Sequence, residues 1–156
     1  MRSSIVSNTT RDSASRSKAK PPLTRSQTMA RVKGRDTKPE MLVRRALHAA
    51  GYRFRVHARD LPGTPDLAFT RRRIAVFIHG CFWHGHDCSR GDRAPKTNAD
   101  YWRAKIARNR ARDVATDTAL AAIGWRAVTV WECALRPPDT ALTKLISELG
   151  SPRAGG

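Results

Sequence analysis

The sequence predicts a small mixed α/β domain, in which short strands alternate with helices. One apolar run, Ile74 to Ile78, has the length and composition of a central strand that is buried on both faces. Residues 99–122 have the length and polarity of a long basic helix, and residues 125–131 are again apolar enough for a strand. A strand, a helix and a strand in this order, with further helices at both ends, are typical of α/β proteins. At 156 residues the chain is long enough for one domain with a buried core.

The segment before the first strand predicts two helices behind a polar arm. Residues 1–22 are rich in Ser and Arg, show no hydrophobic period and are expected to form a disordered basic arm. The spacing Thr24-Arg25-Ser26-Gln27 predicts a capped helix to about Val32. Thr37-Lys38-Pro39-Glu40 has the same spacing, with a proline in the first turn. The second helix would present Val43, Ala46, Leu47 and Ala50 on one apolar face and end at Gly51.

Two short strands and a hairpin are predicted before the central strand. Tyr52 to Val56 alternates between apolar and arginine side chains, as a half-buried strand does. Asp66 to Phe69 predicts a second brief strand after a turn that contains Gly and Pro. Arg71 to Arg73 has the polarity of a hairpin tip that leads into the central strand.

The elements after the central strand complete the domain. The long helix is expected to end at Gly124, and residues 140–149 predict a closing helix. The domain would therefore span residues 23–150, and residues 151–156 would form a flexible tail. The apolar stripe predicted for the long helix consists of Trp102, Ile106, Val114 and Leu120.

The charge of the chain predicts a polyanionic partner. The formal net charge is +17 and the sequence pI is about 11.4. The first twenty residues contribute +4, which leaves +13 on the rest of the chain. Nucleic acid is the natural partner of so basic a domain, and such binding weakens steeply with salt because counterions are released. The alternative is a well-solvated basic surface without a specific partner.

The sequence also predicts where the protein resides. No run of about 18 apolar residues is present, so no transmembrane helix is expected, and the N-terminus lacks the apolar region of a secretory signal. Three cysteines, an odd number, argue against a disulfide framework and for reduced thiols. We therefore expect a cytoplasmic protein with no membrane partner.

The cysteines indicate a metal site. Two of the three lie in the run from His79 to Cys88, which also contains three histidines. The third, Cys133, lies 45 positions further along the chain. Cysteine and histidine are the usual ligands of structural zinc, which takes four of them in a tetrahedron. The spacing leaves open whether His84 or His86 is the histidine ligand, and buried free cysteines beside polar histidines are the alternative.

An aspartate and two histidines are candidates for an active site. Asp66 opens a predicted strand, and the next strand of the hairpin leads to His79. Many nucleases hold Mg²⁺ with a carboxylate placed in this way, because Mg²⁺ prefers oxygen ligands and substrate phosphate. His79 and His84 lie where an imidazole can deprotonate water near neutral pH or help to neutralise a phosphate. An aspartate after proline is often only a turn residue, and the nearby histidines favour the catalytic interpretation.

Four motifs resemble those of the very-short-patch-repair (Vsr) DNA mismatch endonucleases. They are Arg35-Asp36-Thr37, Leu61-Pro62-Gly63-Thr64-Pro65-Asp66, His79-Gly80-Cys81-Phe82-Trp83-His84 and Val130-Trp131-Glu132-Cys133-Ala134-Leu135. The resemblance runs in order from about Thr24 to Leu149. It implies a restriction-endonuclease-like core, that is, a central mixed β-sheet flanked by helices, with one structural zinc ion. It also implies Mg²⁺-dependent nicking of one DNA strand 5′ to the thymine of a T:G mismatch, which repairs deaminated 5-methylcytosine.

The resemblance assigns roles to individual residues. Asp66 would be the magnesium carboxylate, and the main-chain carbonyl of Ile78 would be a second ligand. His84 would be the general base acting through water, with His79 assisting at the phosphate. Glu40 matches an acidic residue near the family's active site, although as a helix-capping residue it needs no catalytic role. The zinc ligands would be Cys81, His86, Cys88 and Cys133.

The central strand departs from the wider nuclease pattern. Where many nucleases have Glu-x-Lys, this chain has Phe77-Ile78-His79, without a carboxylate or a lysine. The Vsr family shares this replacement, so Asp66 stands nearly alone as a side-chain metal ligand. The family often has a threonine at the position of Ile78, and a main-chain ligand tolerates that change.

Aromatic side chains are candidates to recognise the mismatch. Those that resemble the residues the family inserts into the base stack are Phe82, Trp83 and Trp102. A T:G pair is easier to unstack than a matched pair, and each base stacked on an aromatic ring recovers about 1–3 kcal/mol. Core packing is the alternative for any one of these rings. Met29 would add a contact from the opposite groove, and Lys105 and Asn109, at i and i+4 on the long helix, are candidates to contact bases.

The implied partner is double-stranded DNA with a T:G mismatch, bound by a monomer, and mismatch-repair proteins are candidate further partners. Two other functions are compatible with the sequence. One is a related restriction- or defence-associated nuclease with a different recognition sequence. The other is a non-catalytic zinc module that binds distorted DNA, for which Asp66, His79 and His84 would have no use.

Overall fold

The computed structural model describes residues 34–93 and 97–152, in which three α-helices flank four strands. In chain order these are α1 (Lys38–Ala49), β1 (Arg55–Val56), β2 (Leu67–Phe69), β3 (Ile74–His79), α2 (Ala99–Ala122), β4 (Arg126–Trp131) and α3 (Pro138–Leu149). The predicted arm, the first capped helix and Met29 lie outside the described residues, as do positions 153–156 of the predicted tail. None of the described helices is long and apolar enough to cross a membrane.

The strands form one sheet in the order β1-β2-β3-β4. β2 pairs antiparallel with both β1 and β3, and Leu67 lies opposite Val76 in the β2–β3 hairpin. β3 and β4 are parallel, with Ile78 opposite Val130. A parallel pair needs a crossover connection, which α2 supplies. The prediction of a small mixed α/β domain is confirmed, and a mixed sheet flanked by helices fits an α/β nuclease fold.

Side chains alternate between the two faces of the sheet and build a core on each face. Residues from α1, α3 and one face of the strands form the first core, including Val43, Leu47, Leu67, Val76, Val130 and Leu145. Residues from α2 and the other face form the second core, including Ala68, Ala75, Phe77 and Leu120. β3 is therefore covered on both faces, as its continuous apolar run predicts.

The start of α1 differs from the predicted capping box. Thr37 is the N-cap residue, but its hydroxyl donates to Glu40 Oε1 (2.8 Å) instead of accepting a hydrogen bond from the first turn. Glu40 Oε2 accepts the main-chain N–H of Asp36 (3.0 Å), one residue before the expected donor. Glu40 therefore fixes the position of the two residues that precede α1. This acidic residue is only 4% exposed.

β1 contains only the last two residues of the strand predicted from Tyr52 to Val56. Tyr52 instead packs in the first core, where its ring meets Phe69 edge-on with centroids 6.2 Å apart. The Tyr52 hydroxyl donates to the carbonyl of Gly150 (2.6 Å), just after α3. The buried Tyr52 thus stabilises the end of α3 through this hydrogen bond. Because Tyr52 packs in the core, it does not extend β1, and the edge strand is shorter than predicted.

α2 has the predicted bounds, but Val114 is not on its inward face, since Val114 is 66% exposed. At about 100° per residue, Val114 lies about 120° around the helix from Trp102 and Leu120, which share one side. Asp113 occupies the inward side at this turn. The predicted apolar stripe is therefore wrong at Val114, because a polar side chain occupies the buried face there.

Replacing Leu120 tests this orientation of α2. Leu120 is fully buried in the second core, so Leu120→Ala is expected to lower the free energy of unfolding by about 2–4 kcal/mol, through lost contacts and the cavity left behind. Val114→Ala, on the exposed side of the same helix, is the control and is expected to change it by less than about 0.5 kcal/mol. Urea unfolding followed by circular dichroism measures both, and equal effects would contradict the orientation.

Candidate active site and metal centre

Asp66 lies at the entry to β2, beside the C-terminal end of β3. Its Oδ2 accepts the main-chain N–H of Ile78 (2.7 Å), and its carbonyl accepts the N–H of His57 (3.2 Å). The antiparallel hairpin sets this contact, because it places the beginning of β2 opposite the end of β3. The structure thus brings together the carboxylate and the main-chain segment predicted to bind magnesium. A carboxylate can accept several partners, so this hydrogen bond is compatible with a role as metal ligand.

The neighbours of Asp66 shift its pKa in both directions. Burial raises the pKa of the Asp66 carboxyl, the N–H of Ile78 lowers it, and the charge of Glu40 raises it again. His57, when its ring is protonated, and the charge of Arg44 lower it, and the net result is a raised pKa. A divalent cation beside this carboxyl would favour its ionised form. A partly buried oxygen donor of this kind fits Mg²⁺.

His79 and His84 stack on each other at and beyond the end of β3. Their ring centroids are 3.7 Å apart and their planes differ by 7°. His84 Nδ1 lies 2.6 Å from Oδ2 of Asp113 on α2. Because the carboxylate accepts, Nδ1 carries the hydrogen, and Nε2 of the neutral ring can accept a proton. Burial and the adjacent His84 lower the pKa of His79 to about 4, so His79 adds no positive charge beside His84 at neutral pH.

Asp113 is a candidate site residue that the sequence interpretation does not include. A signal for it exists, because Trp102, Ile106, Asn109 and Asp113 share one helix face. A carboxylate on an inward helix face is costly to bury without a partner, so its presence there points to a specific contact. The predicted stripe passes through Val114 instead, and this hides Asp113.

Glu40 belongs to a second group of charged residues near Asp66. Arg44, one turn further along α1, donates to Glu40 Oε2 (3.0 Å) and to Asp36 Oδ1 (2.5 Å). The same guanidinium lies 2.9 Å from Nε2 of His57. Glu40 is close enough to affect the pKa of Asp66, which is compatible with the predicted active-site role of Glu40. The contact between Arg44 and His57 has no signal in the sequence, because it joins α1 to the residue after β1.

The predicted zinc ligands come together in space. The ligand atoms of four residues all lie within 4.8 Å of one another: Cys81, His86, Cys88 and Cys133. The distance of 3.5 Å from Cys133 Sγ to His86 Nδ1 is compatible with two ligands of tetrahedral zinc, which are about 3.5 Å apart when the bonds are about 2.3 and 2.1 Å. His84 lies instead with His79 and Asp113. Three thiols and one imidazole are a donor set that suits structural zinc.

The main chain around the cysteines supports this cluster. At Gly91 a Cβ atom would lie 1.8 Å from the carbonyl oxygen of His86, so only glycine fits. The N–H of Gly91 donates to Cys88 Sγ (3.4 Å), and the N–H of Cys133 donates to Cys81 Sγ (3.4 Å). Burial raises the pKa of the Cys81 thiol to about 12, whereas the hydrogen bond with His86 lowers that of Cys88 to about 6. Donors aimed at sulfur stabilise the thiolate, which is the form that binds a metal.

Phe82, Trp83 and Trp102 form one aromatic cluster, with ring centroids 5.2–5.8 Å apart. Phe82 and Trp83 are half-buried, whereas Trp102 is only 5% exposed. The ammonium of Lys105 lies over the rings of Trp83 (5.3 Å) and Trp102 (5.4 Å). Tyr101 contacts Trp102 and is 54% exposed, so it extends the cluster toward solvent. Insertion of Trp102 into a base stack therefore requires that its ring leave this packing.

Asn109 contacts the loop that carries the aromatic residues. Its Nδ2 donates to the main-chain carbonyl of Trp83 (2.7 Å), and its Oδ1 accepts from Arg112 (2.9 Å). Both ends of the amide are therefore occupied. A contact with a base edge would have to replace these bonds, so the geometry favours positioning of the loop, and the base contact of Asn109 stays a prediction.

Several known proteins are similar in sequence to much of this chain. The family model for the DNA mismatch endonuclease Vsr matches residues 18–90. The type II nicking enzyme V.XorIIP of Xanthomonas oryzae pv. oryzae is 55% identical over 107 residues, which cover 69% of this chain and 78% of the relative. The type II nicking enzyme V.NmeAIP of Neisseria meningitidis is 43% identical over 112 residues, which cover 72% of this chain and 79% of the relative.

A third relative aligns over a greater length. The DNA mismatch endonuclease Vsr of Escherichia coli is 40% identical over 129 residues, which cover 80% of this chain and 82% of the relative. The similarity thus extends over many more residues than the four motifs contain. From the family match and these identities, the chain belongs to the Vsr family of DNA mismatch endonucleases.

Proposed function

We propose that this chain is a Mg²⁺-dependent endonuclease that nicks one DNA strand 5′ to the thymine of a T:G mismatch. The observation that carries the proposal is the contact of the Asp66 carboxylate with the C-terminal end of β3. This end of β3 contains His79 and leads into the loop in which His84 pairs with Asp113. A metal carboxylate and an oriented imidazole are what metal-assisted hydrolysis of a phosphodiester needs. Membership of the family supports DNA as the substrate. One site of this kind cuts one strand, so a monomer suffices.

Each residue of the site has a defined part in this proposal. Asp66 and the main-chain carbonyl of Ile78 would hold Mg²⁺, which when bound supplies an activated water and stabilises charge on the phosphate and the leaving oxygen. His84 would accept the proton of the attacking water at Nε2, because Asp113 engages Nδ1. Asp113 would fix the ring and stabilise the imidazolium formed in this step. His79, uncharged at neutral pH, would form a hydrogen bond at the phosphate.

The aromatic cluster would recognise the mismatch. Phe82 and Trp83 lie in the loop between β3 and α2 and are more exposed than Trp102, so they would be first to stack on unpaired bases. Unstacking costs less at a T:G wobble than at a matched pair, which favours insertion at the mismatch. Lys105 would exchange its contacts with the rings, worth about 0.5–2 kcal/mol, for a phosphate. Recognition would thus combine stacking with phosphate contacts.

Zinc would join the loop after β3 to the turn after β4 through Cys133. Such a link between segments distant in sequence stabilises a small domain, because the free energy of metal binding adds to that of folding. In this proposal the zinc ion is structural, since all four positions around it are taken by protein ligands.

A related nuclease that serves restriction and reads other flanking bases is the second candidate. The Xanthomonas and Neisseria relatives are both named type II nicking enzymes, which favours it. This candidate uses the same active site and differs only in the DNA that it recognises. The third alternative, a non-catalytic zinc module, is disfavoured by membership of an endonuclease family.

Duplexes that differ at one base pair test the proposed substrate. With Mg²⁺, a duplex containing a single T:G pair is expected to be nicked on the thymine strand, whereas matched T:A and C:G duplexes are expected to stay intact. Asp66→Asn is expected to lower the rate by about 10³-fold or more, because the metal carboxylate is lost, and to leave DNA binding unchanged. Asp139→Asn, an exposed aspartate on α3, is the control. Denaturing gels of end-labelled duplexes with varied flanking bases measure the rates.

Two outcomes of that assay would each contradict a different part of the proposal. Nicking of matched duplexes would support the restriction-type alternative. Full activity of Asp66→Asn would contradict the assignment of the metal carboxylate.

Asp113→Asn tests the orientation of the general base. The amide lacks the charge that stabilises the His84 imidazolium, so the single-turnover nicking rate is expected to fall by about 10²–10⁴-fold. Asp117→Asn removes the same charge one turn further along α2, at an exposed position, and is expected to leave the rate unchanged. Equal rates for the two variants would refute the role of the His84–Asp113 pair.

Replacing His86 tests the zinc site. Wild-type protein is expected to contain one zinc ion per chain by mass spectrometry of the metal content, and His86→Ala to lose most of it. A loss of about 2 kcal/mol would lower the melting temperature by about 4–8 °C. His48→Ala, an exposed histidine on α1, should keep both zinc and melting temperature. Metal-free wild-type protein that melts at the same temperature would argue against a structural ion.

A further inference from the structure

A charged cluster of Asp36, Glu40, Arg44 and His57 lies beside Asp66, with the Arg44 guanidinium at its centre. Nη2 of Arg44 is 3.0 Å from Glu40 Oε2 and 2.9 Å from His57 Nε2, and Nη1 is 2.5 Å from Asp36 Oδ1. The side chains of Arg44 and Glu40 are 12% and 5% exposed, so their contact is largely shielded from water. Within this cluster the Arg44 guanidinium therefore has three acceptors, which lie before α1, within α1 and after β1.

Arg44 supplies a compensating positive charge and a hydrogen-bond donor to the buried Glu40 carboxylate. A buried carboxylate is costly without a compensating charge, and Glu40 also faces the negative charge of Asp66. The planar fork of arginine fixes the direction of its partners as well as offsetting their charge. The N–H of Asp36 and the hydroxyl of Thr37 occupy further acceptor positions of Glu40. Together these donors hold the Glu40 carboxylate in one orientation.

His57 connects this cluster to Asp66 through the main chain. Its N–H donates to the Asp66 carbonyl (3.2 Å), and the N–H of Ala58 donates to the carbonyl of Pro65 (3.3 Å). His57 has φ of +47°, a left-handed conformation that few residues other than glycine adopt. Such a conformation persists only where its surroundings hold it, and the contact between Arg44 and Nε2 is one restraint. Since arginine only donates, Nε2 is the acceptor and the hydrogen of the neutral ring lies on Nδ1.

We propose that Arg44 is a positioning residue for the nicking reaction, because it holds Glu40 and His57 in place against Asp66. The inference rests on the proposed function and adds to it a residue that no motif contains. Arg44 acts through Glu40 and needs no contact of its own with DNA or with metal.

Single-turnover nicking of the T:G duplex tests this proposal. Arg44→Met keeps most of the side-chain length and removes the charged fork, so it is expected to slow nicking by about 10–100-fold without changing DNA affinity. Arg45→Met, its exposed neighbour on α1, removes the same charge and is expected to nick at the wild-type rate. Because Arg44 acts through Glu40, adding Arg44→Met to Glu40→Gln is expected to change the rate by no more than about twofold.

A measurement without metal separates positioning from a general effect on folding. Long-range proton–nitrogen NMR spectra of the Mg²⁺-free wild type are expected to show His57 Nε2 as an unprotonated acceptor. In Arg44→Met the two ring nitrogens of His57 are expected to exchange roles, while the signals of His48 stay unchanged. Arg44→Lys keeps the charge without the fork, so it is expected to fold and to nick at an intermediate rate. The test therefore does not depend on the stability of Arg44→Met.

Several results would overturn the inference. They are a wild-type rate in Arg44→Met, an equal loss in Arg45→Met, losses that multiply in the double variant, or an unchanged His57 spectrum. If the wild-type protein nicks no T:G duplex, the proposed function itself fails and the inference fails with it. Wild-type nicking with unaffected variants would overturn the role of Arg44 alone.

Discussion

β3 is held on both edges and covered on both faces, and the candidate sites depend on the fixed position of its C-terminal end. It pairs with β2 on one side and with β4 on the other. The N–H of Ile78 can therefore reach the carboxylate of Asp66, and His79 lies opposite Trp131 of β4. Cys81, two residues later, meets the N–H of Cys133 after β4. A strand with one free edge would leave either the Asp66 side or the Cys133 side without a fixed partner.

The run from His79 to Cys88 serves two purposes with interleaved residues. His79 and His84 face Asp113 on α2, whereas His86 faces the cysteines and stacks on Trp131 with centroids 4.2 Å apart. Only one residue, Gly85, separates the candidate general base from a candidate zinc ligand. The arrangement of the candidate zinc ligands therefore limits how far the candidate base can move, although no candidate zinc ligand takes part in the proposed chemistry.

The sequence predicts best those parts whose chemistry restricts the residue type. Cysteines that could bind a metal and an apolar run that is buried on both faces leave a pattern that can be recognised before the fold is known. The contact between Arg44 and His57 leaves no such pattern, because it joins α1 to the residue after β1. Asp113 shares a helix face with Trp102, but its partner His84 is 29 positions away, so the sequence does not show the contact. The length of β1 could not be predicted either, because Tyr52 bonds to Gly150 after α3, which lies 98 positions later in the chain. The wrong inclusion of Val114 in the predicted stripe has a local cause. Valine is the apolar residue at this turn, so the pattern predicts that it faces the core instead of its polar neighbour Asp113.

α2 carries groups of two kinds along one inward face. Trp102 lies near its beginning, and Asp113 lies about three turns later, at a distance of about 16 Å. The loop after β3 fits tightly against this helix, since a Cβ atom at Gly85 would lie 2.7 Å from Cγ2 of Ile106. The helix is continuous between these residues, so a tilt imposed at the aromatic end would also move the carboxylate that contacts His84. In the proposed mechanism, α2 thus connects the aromatic cluster proposed to stack on bases with the His84–Asp113 pair proposed to accept the proton.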